Sequence, residues 1–300
     1  MHLSTQTSNT DASPAHNDIV SCWRLGEQVT GNRWYTIFRA APKTYAHDSN
    51  HDFVIKLINP KLPKDLVPLA IDRLGREALA TEQILHPNVI RLLDAELDRA
   101  PFFLVQPWIE GRSLDRLFSS APHLPLTRML WVLRQIAEGV RAGHEKGKIH
   151  LGLEPAHVLI GKTGRVSLLG WSRSHSVDEK AWLPRNQLQL ARYTAPECFA
   201  TDYVANAAAD VYSMGILIYQ ALALSTPFEG QSTDELEAQH LEQIPEDLII
   251  ASRDCPPRLG VIVKQMLCKN PLMRPSFREV LNELISIEIE HLSDTTLIRL

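Results

Sequence analysis

The 300-residue sequence is poor in cysteine and has no long apolar run, and each shortage narrows what the chain can be. Its four cysteines, Cys22, Cys198, Cys255 and Cys268, stand far apart and form no C-x-x-C pair. That argues against a disulfide framework or a zinc cluster and fits reduced thiols in the cytoplasm. The longest apolar stretch, residues 214–224, is interrupted by Gly215, Tyr219 and Gln220 and is too short to cross a bilayer; it reads as a buried core helix. The first residues are polar and lack the apolar core of a signal peptide. A soluble, cytoplasmic protein without a membrane span is the expectation. Positive charge is not in excess either. With 31 Lys and Arg against 35 Asp and Glu, and no local basic run, neither nucleic acid nor an anionic membrane is expected as a partner.

What is present is material for a sizeable core: 44% of the residues are hydrophobic, and the length suits one large domain or two lobes. Residues 1–18 are rich in Ser, Thr, Asn and Asp and are expected to be a disordered tail. Across 19–109, short runs rich in β-branched and aromatic residues (34–40, 53–58, 102–105) surround one helical segment, 66–85, in which Ile71, Leu74, Ala78 and Leu85 fall near one face. From 110 to about 290 the chain is mostly helical. Met129, Leu133, Ile136 and Val140 keep a 3.6-residue period on a helix starting near Thr127, and Ser276 with Glu279 has capping-box spacing. Residues 291–300 are left as a tail. A β-rich first third before a helical remainder predicts an α+β protein with two lobes.

A series of short motifs goes further. Phe53-Val54-Ile55-Lys56 is followed by Glu77 on the predicted helix and by His86-Pro87-Asn88-Val89-Ile90. Then come Leu104-Val105-Gln106-Pro107-Trp108-Ile109-Glu110-Gly111, Ile149-His150-Leu151-Gly152-Leu153-Glu154-Pro155, Tyr193-Thr194-Ala195-Pro196-Glu197, Asp210-Val211-Tyr212-Ser213-Met214-Gly215, Asn270-Pro271 and Arg274-Pro275. Each is weak alone, but in this order over 25–285 they make the sequence resemble the bacterial-type Ser/Thr protein kinases. The resemblance implies a bilobal kinase-like fold, with a β-rich N-lobe carrying one main helix and a larger α-helical C-lobe.

The same resemblance shows what is missing. Where the family has a catalytic-loop Asp, this chain has Gly152; where it has a Lys steadying the phosphate, Glu154 reverses the charge; and where it has a metal-binding Asn, His157 stands. The D-F-G Asp is Gly170, in Gly170-Trp171-Ser172. Neither glycine nor imidazole suits Mg²⁺, a hard ion that takes oxygen ligands. Leu151 replaces the Arg that would pair with a phosphorylated activation segment, and Leu190 replaces a Thr that would bond the catalytic pair.

By resemblance, Gly26, Gly31, Val54, Lys56, Glu77, Gln106, Trp108 and Leu159 outline a nucleotide or ligand cleft. Gln28 fills a glycine position, Asn32 to Tyr35 read as an insertion, and bulky Trp34 and Tyr35 are expected to cover or plug the site. Lys56 with Glu77 reads either as a phosphate-orienting pair or as a structural tie between strand and helix. Glu197 with Arg274, and Asp210 beneath the catalytic loop, read as structural. No metal and no Mg²⁺ are expected, and ATP only as a ligand without metal. The leading expectation is a pseudokinase that regulates or scaffolds a protein partner. The alternatives are a nucleotide-responsive switch that binds ATP or another small ligand without Mg²⁺, or an atypical kinase in which Glu154, or Asp178 and Glu179, supply a displaced ligand or base.

Overall fold

Alternation of side chains along the first strands creates a sheet with two buried faces, and that sheet organises the first third of the chain. The computed structural model describes residues 18–45, 50–120, 124–181 and 188–297, with side chains to 292. The expected tail at 1–18 lies outside the described residues except for Asp18, as do residues 298–300.

Among the described residues two units emerge, one formed by those from 18 to 78 together with 91–109, the other by 79–90 and those from 110 to 297. In the first, the strands are β1 (Ile19–Val20), β2 (Trp23–Gly31), β3 (Tyr35–Pro42), β4 (Phe53–Ile58), β5 (Asp94–Glu96) and β6 (Phe103–Pro107). They form an antiparallel sheet in the order β1-β2-β3-β4-β6-β5. Leu25, Phe38, Ile55, Leu57 and Val105 bury one face. Shifting by one residue along each strand reaches the other face, where Tyr35 and Leu104 meet Ala70 and Leu74 of helix α1 (Val67–Gln83). Ala70, Leu74 and Glu77 share one stripe of that helix and are all buried. In register, Lys56 sits between Ile37 and Leu104 at the centre of this second face.

The second unit begins with β7 (Gly111–Ser113), α2 (Leu114–Ser120), α3 (Leu126–Glu145) and β8 (Lys148–Ile149). Strands β9 (Val158–Gly161) and β10 (Val166–Leu168) join β7 in a small sheet, and β11 (His175–Ser176) pairs with β8. After α4 (Leu188–Ala191) come α5 (Ala207–Ala223), α6 (Thr233–Glu242), α7 (Leu248–Ala251), α8 (Pro257–Met266) and α9 (Phe277–Leu297). Helix α5 is apolar nearly all round and is the core helix: twelve of its residues are buried. Its N-terminus is closed by Asn206, whose Oδ1 accepts from Ala208 N at 3.1 Å. Met129, Leu133, Ile136 and Val140 of α3 are buried, and α3 runs against α9. Arg134 of α3 fastens the two by donating to Glu288 at 2.6 Å. Ser276 and Glu279 close a reciprocal capping box on α9, Glu279 Oε2 accepting from Ser276 N at 2.7 Å and Ser276 Oγ from Glu279 N at 3.3 Å.

Two boundaries differ from the expectation. The stretch 79–90, expected with the first lobe, packs with the second unit, because Asn88 Nδ2 donates to Gln135 Oε1 and Val166 O and Ile90 N donates to Leu168 O. Helix α9 continues through Leu297, into the segment read as a tail. No helix among the described residues is long and apolar enough to cross a membrane.

Candidate functional site

The residues singled out by sequence fall into two groups, one in each unit. In the first, Lys56 projects from β4 and Glu77 from α1, and they pair at 2.6 Å with side-chain exposures of 16% and 4%. The ammonium group of Lys56 also lies 4.5 Å from the ring centroid of Tyr35. Tyr35 is buried, its hydroxyl donating to Ala70 O of α1 at 3.1 Å. Burial, and then the negative charge of Glu77, push its pKa well above the usual phenol range, so the ring stays neutral beside the ion pair.

Trp34 and Tyr35, expected to cover or plug the site, take different places: Tyr35 lies against Lys56, and Trp34 packs beside α1. The insertion instead makes a tight hairpin end, in which Asn32 Oδ1 accepts from Trp34 N (2.8 Å) and Tyr35 N (2.9 Å). Strand alternation then turns Tyr35 inward between sheet and helix. Trp34 lies partly buried between Arg33 and Arg73, whose guanidinium groups sit 5.1 and 4.4 Å from its ring.

Further along the same face of the sheet, Val54 pairs in register with Arg39 and Gln106. The guanidinium of Arg39 stacks over Trp108 at 4.2 Å, and its Nε donates to His51 O at 2.5 Å. The His51 imidazole covers Gly26, where a Cβ would fall 2.8 Å from the ring. Gly31 is exposed, with only ordinary contacts around the place of a Cβ. Gln106 is buried, and its Nε2 has no hydrogen-bond partner among the described residues. Tyr35, Arg39 and His51 therefore occupy much of the face that carries Lys56. Sequence reading missed Arg39 and His51; Arg39 lies beside Val54 through the pairing register of β3 and β4, which no local pattern gives.

In the second unit, Asp210 organises the loop at 150–157. Its Oδ2 accepts from His144 Nε2 and from His150 N, each at 2.8 Å, and its Oδ1 accepts from Leu151 N at 2.9 Å. Those bonds hold Leu151 in the left-handed region at φ +53°. Burial by itself would raise the Asp210 pKa, but the hydrogen bond and charge of His144, with His150, outweigh it and hold the carboxyl below its ordinary value. His150 Nε2 faces Leu169 O at 2.9 Å, so it must donate, which leaves Nδ1 to accept from Gly152 N at 3.2 Å. Burial drives the His150 pKa down to about 4, in keeping with this neutral tautomer. The ring leans on Trp171 at a centroid distance of 4.5 Å.

Gly152 and Gly170 meet across this loop. A Cβ at Gly152 would stand 3.5 Å from Gly170 O and 3.3 Å from Arg173 Cδ. Gly170 has φ +80°, and a Cβ there would fall 2.4 Å from Cγ of His157. The imidazole thus fills the volume in which a side chain at 170 would begin. His157 Nδ1 donates to Gly152 O at 2.7 Å and lies 3.5 Å from Glu154 Oε1. Leu159, on β9, pairs in register with Ser167 and Ser113. Glu179 is engaged in its own turn, its Oε2 accepting from Ser176 N at 2.9 Å. Among the described residues no three His, Cys, Asp or Glu side chains converge as metal ligands.

Arg274, its side chain fully buried, donates to both Glu197 oxygens at 2.6 and 2.8 Å. It also donates to the carbonyls of Cys268, Ala208 and Lys269 at 2.8–3.1 Å.

Comparison with known proteins agrees with this architecture. Residues 40–284 match the protein kinase domain. The chain is 27% identical over 226 residues to the serine/threonine-protein kinase PknA of Mycobacterium tuberculosis, covering 73% of this chain and 51% of that protein. It is 30% identical over 260 residues to PkaA of Streptomyces coelicolor (84% and 46%) and 27% identical over 285 residues to ULK3 of Xenopus laevis (94% and 58%), both serine/threonine-protein kinases. The chain spans about half the length of these curated relatives. With its α+β architecture and a domain match over most of its length, the chain belongs to the protein kinase family and has the bilobal kinase fold.

Proposed function

We propose that this protein is a pseudokinase: a kinase-fold module that does not transfer phosphate and instead regulates or scaffolds a protein partner in the cytoplasm. The observation that carries the reading is the ring of His157 in the place of a side chain at Gly170. Phosphoryl transfer by this fold relies on metal ions held by a carboxylate and an amide at these two positions. Here neither oxygen ligand is present, and the imidazole that replaces the amide spends its Nδ1 proton on Gly152 O. The residues present do not fit a magnesium–nucleotide complex. Gly152 provides no base for a substrate hydroxyl, a loss that typically costs ~10²–10⁴ in rate.

Features that hold the fold are retained: Asp210 under the loop, Arg274 on Glu197, and Lys56 on Glu77. Retention of the scaffold with loss of the chemistry supports binding as the function. The relatives are called protein kinases, and that is the rival reading.

The two are separated by incubating the full chain with labelled ATP, Mg²⁺ or Mn²⁺, and a generic protein substrate. A Lys56→Met, Glu77→Gln double variant serves as the control. Incorporation no greater than in the control is expected; robust incorporation that the control loses would overturn the proposal.

A further inference from the structure

Apart from the residues treated above, the second unit carries a concave surface whose charge opposes that of the chain as a whole. It lies among α2, the start of α3 and the turn joining β9 to β10, and encloses about 590 Å³. Leu117, Leu124, Trp131 and Ile160 give it an apolar floor. That floor is firmly built. The Trp131 indole lies flush on Gly164, where φ is +83° and a Cβ would fall 2.2 Å from the ring. Gln135, one turn along α3, donates from Nε2 to Gly164 O at 3.3 Å, and Gly164 N donates to Gly161 O at 2.8 Å.

Cations border it. Arg112 on β7 and Arg128 on α3 are both exposed, and neither has an ion-pair partner among the described residues. Lys162 is paired with Glu110 at 2.7 Å, so those two add no net charge. A chain of net charge −4 therefore directs two uncommitted guanidinium groups at one apolar groove. Guanidinium forks match carboxylates in geometry as well as sign.

We propose that this groove docks an acidic–apolar peptide segment of a partner protein, with carboxylates on Arg112 and Arg128 and an apolar side chain on the floor against Trp131. An inorganic anion would use the rim and leave the floor in water. The proposal rests on the reading of the chain as a binding module and gives its partner a chemical class.

The test is to pan a displayed library of random 12-residue peptides against the full chain. Enriched peptides are expected to carry acidic residues flanking Leu, Ile, Phe or Trp. A synthetic copy of the strongest is expected to bind an Arg112→Glu, Arg128→Glu variant at least about tenfold more weakly and to lose affinity as salt rises. An Arg112→Gln, Arg128→Gln variant with unchanged melting temperature provides the same comparison without reversed charge. Failure to enrich any peptide, enrichment of basic or uncharged peptides, or equal binding to these variants would sink the proposal. Lys56-dependent phosphoryl transfer would instead sink the pseudokinase reading and leave the groove as a docking site on an active enzyme, so the two ideas fail separately.

Discussion

The imidazole of His157 and the missing side chain of Gly170 are a matched pair: a Cβ at 170 would lie 2.4 Å from His157 Cγ, inside any permitted contact. Restoring an acidic residue at 170 alone should therefore misfit. Overpacking of this kind typically costs ~1–3 kcal/mol. A double-mutant cycle of Gly170→Asp with His157→Ala, followed by urea denaturation, separates the clash from the strain of a non-glycine residue at φ +80°, which both Asp variants share. A favourable coupling of about 1 kcal/mol or more is expected when both changes are combined. Strict additivity would show that the two positions are independent.

Lys56 and Glu77 are predicted to tie strand to helix. Removing one partner of a buried pair commonly costs ~3–5 kcal/mol, because the other charge is left stranded, whereas neutralising both is far milder. Lys56→Met should lower stability to urea markedly, and adding Glu77→Gln should recover most of the loss. If Lys56→Met is harmless alone, the pair is not structural.

The same face of the sheet bears on nucleotide. Tyr35 lies against the Lys56 ammonium, Arg39 stacks on Trp108, and the His51 ring covers Gly26. Each of these side chains is already engaged within the protein. Thermal melting in millimolar ATP, with and without Mg²⁺, is expected to show no shift. Saturation at ~100 Kd would add ~2.7 kcal/mol, which melting would register clearly, and such a shift would establish the nucleotide-switch alternative instead.

How much of this could be read from sequence depends on the kind of signal each residue leaves. Helix α3 was legible because its apolar residues repeat every 3.6 positions, and the start of α9 because Ser276 and Glu279 have fixed capping spacing. The losses at Gly152 and Gly170 were legible because flanking motifs fix their positions. The direction of Tyr35 was not: it depends on strand register past an insertion, and a slip of one residue would reverse its face. Nor could sequence reveal that the His157 ring turns into the space at 170, or that His51 lies on Gly26. Those contacts join residues distant in the chain, and no local pattern encodes them.

Two buried histidines make acid sensitivity the most exact prediction. His150 is held neutral by burial, with its pKa near 4. His240 sits among Phe199, Tyr212 and Phe228, with Tyr212 Oη 2.9 Å from its Nδ1. Burial, and then the charge of Lys269, bring its pKa to about 3. In the unfolded chain both titrate near ~6.5. Between pH 6.5 and about 4 the unfolded state therefore binds protons that the folded state refuses, and stability falls with falling pH. The slope can reach ~1.4 kcal/mol per pH unit for each histidine. Asp210 acts lower down. Its pKa is depressed from 3.8, so its contribution is complete above that value and is lost as the pH falls through its folded-state pKa. Urea denaturation at pH 7.5 and pH 5 should show the loss, and His150→Gln should reduce the pH dependence while keeping a donor toward Leu169 O. Equal slopes for the variant and the wild type would mean that His150 is not the group being protonated.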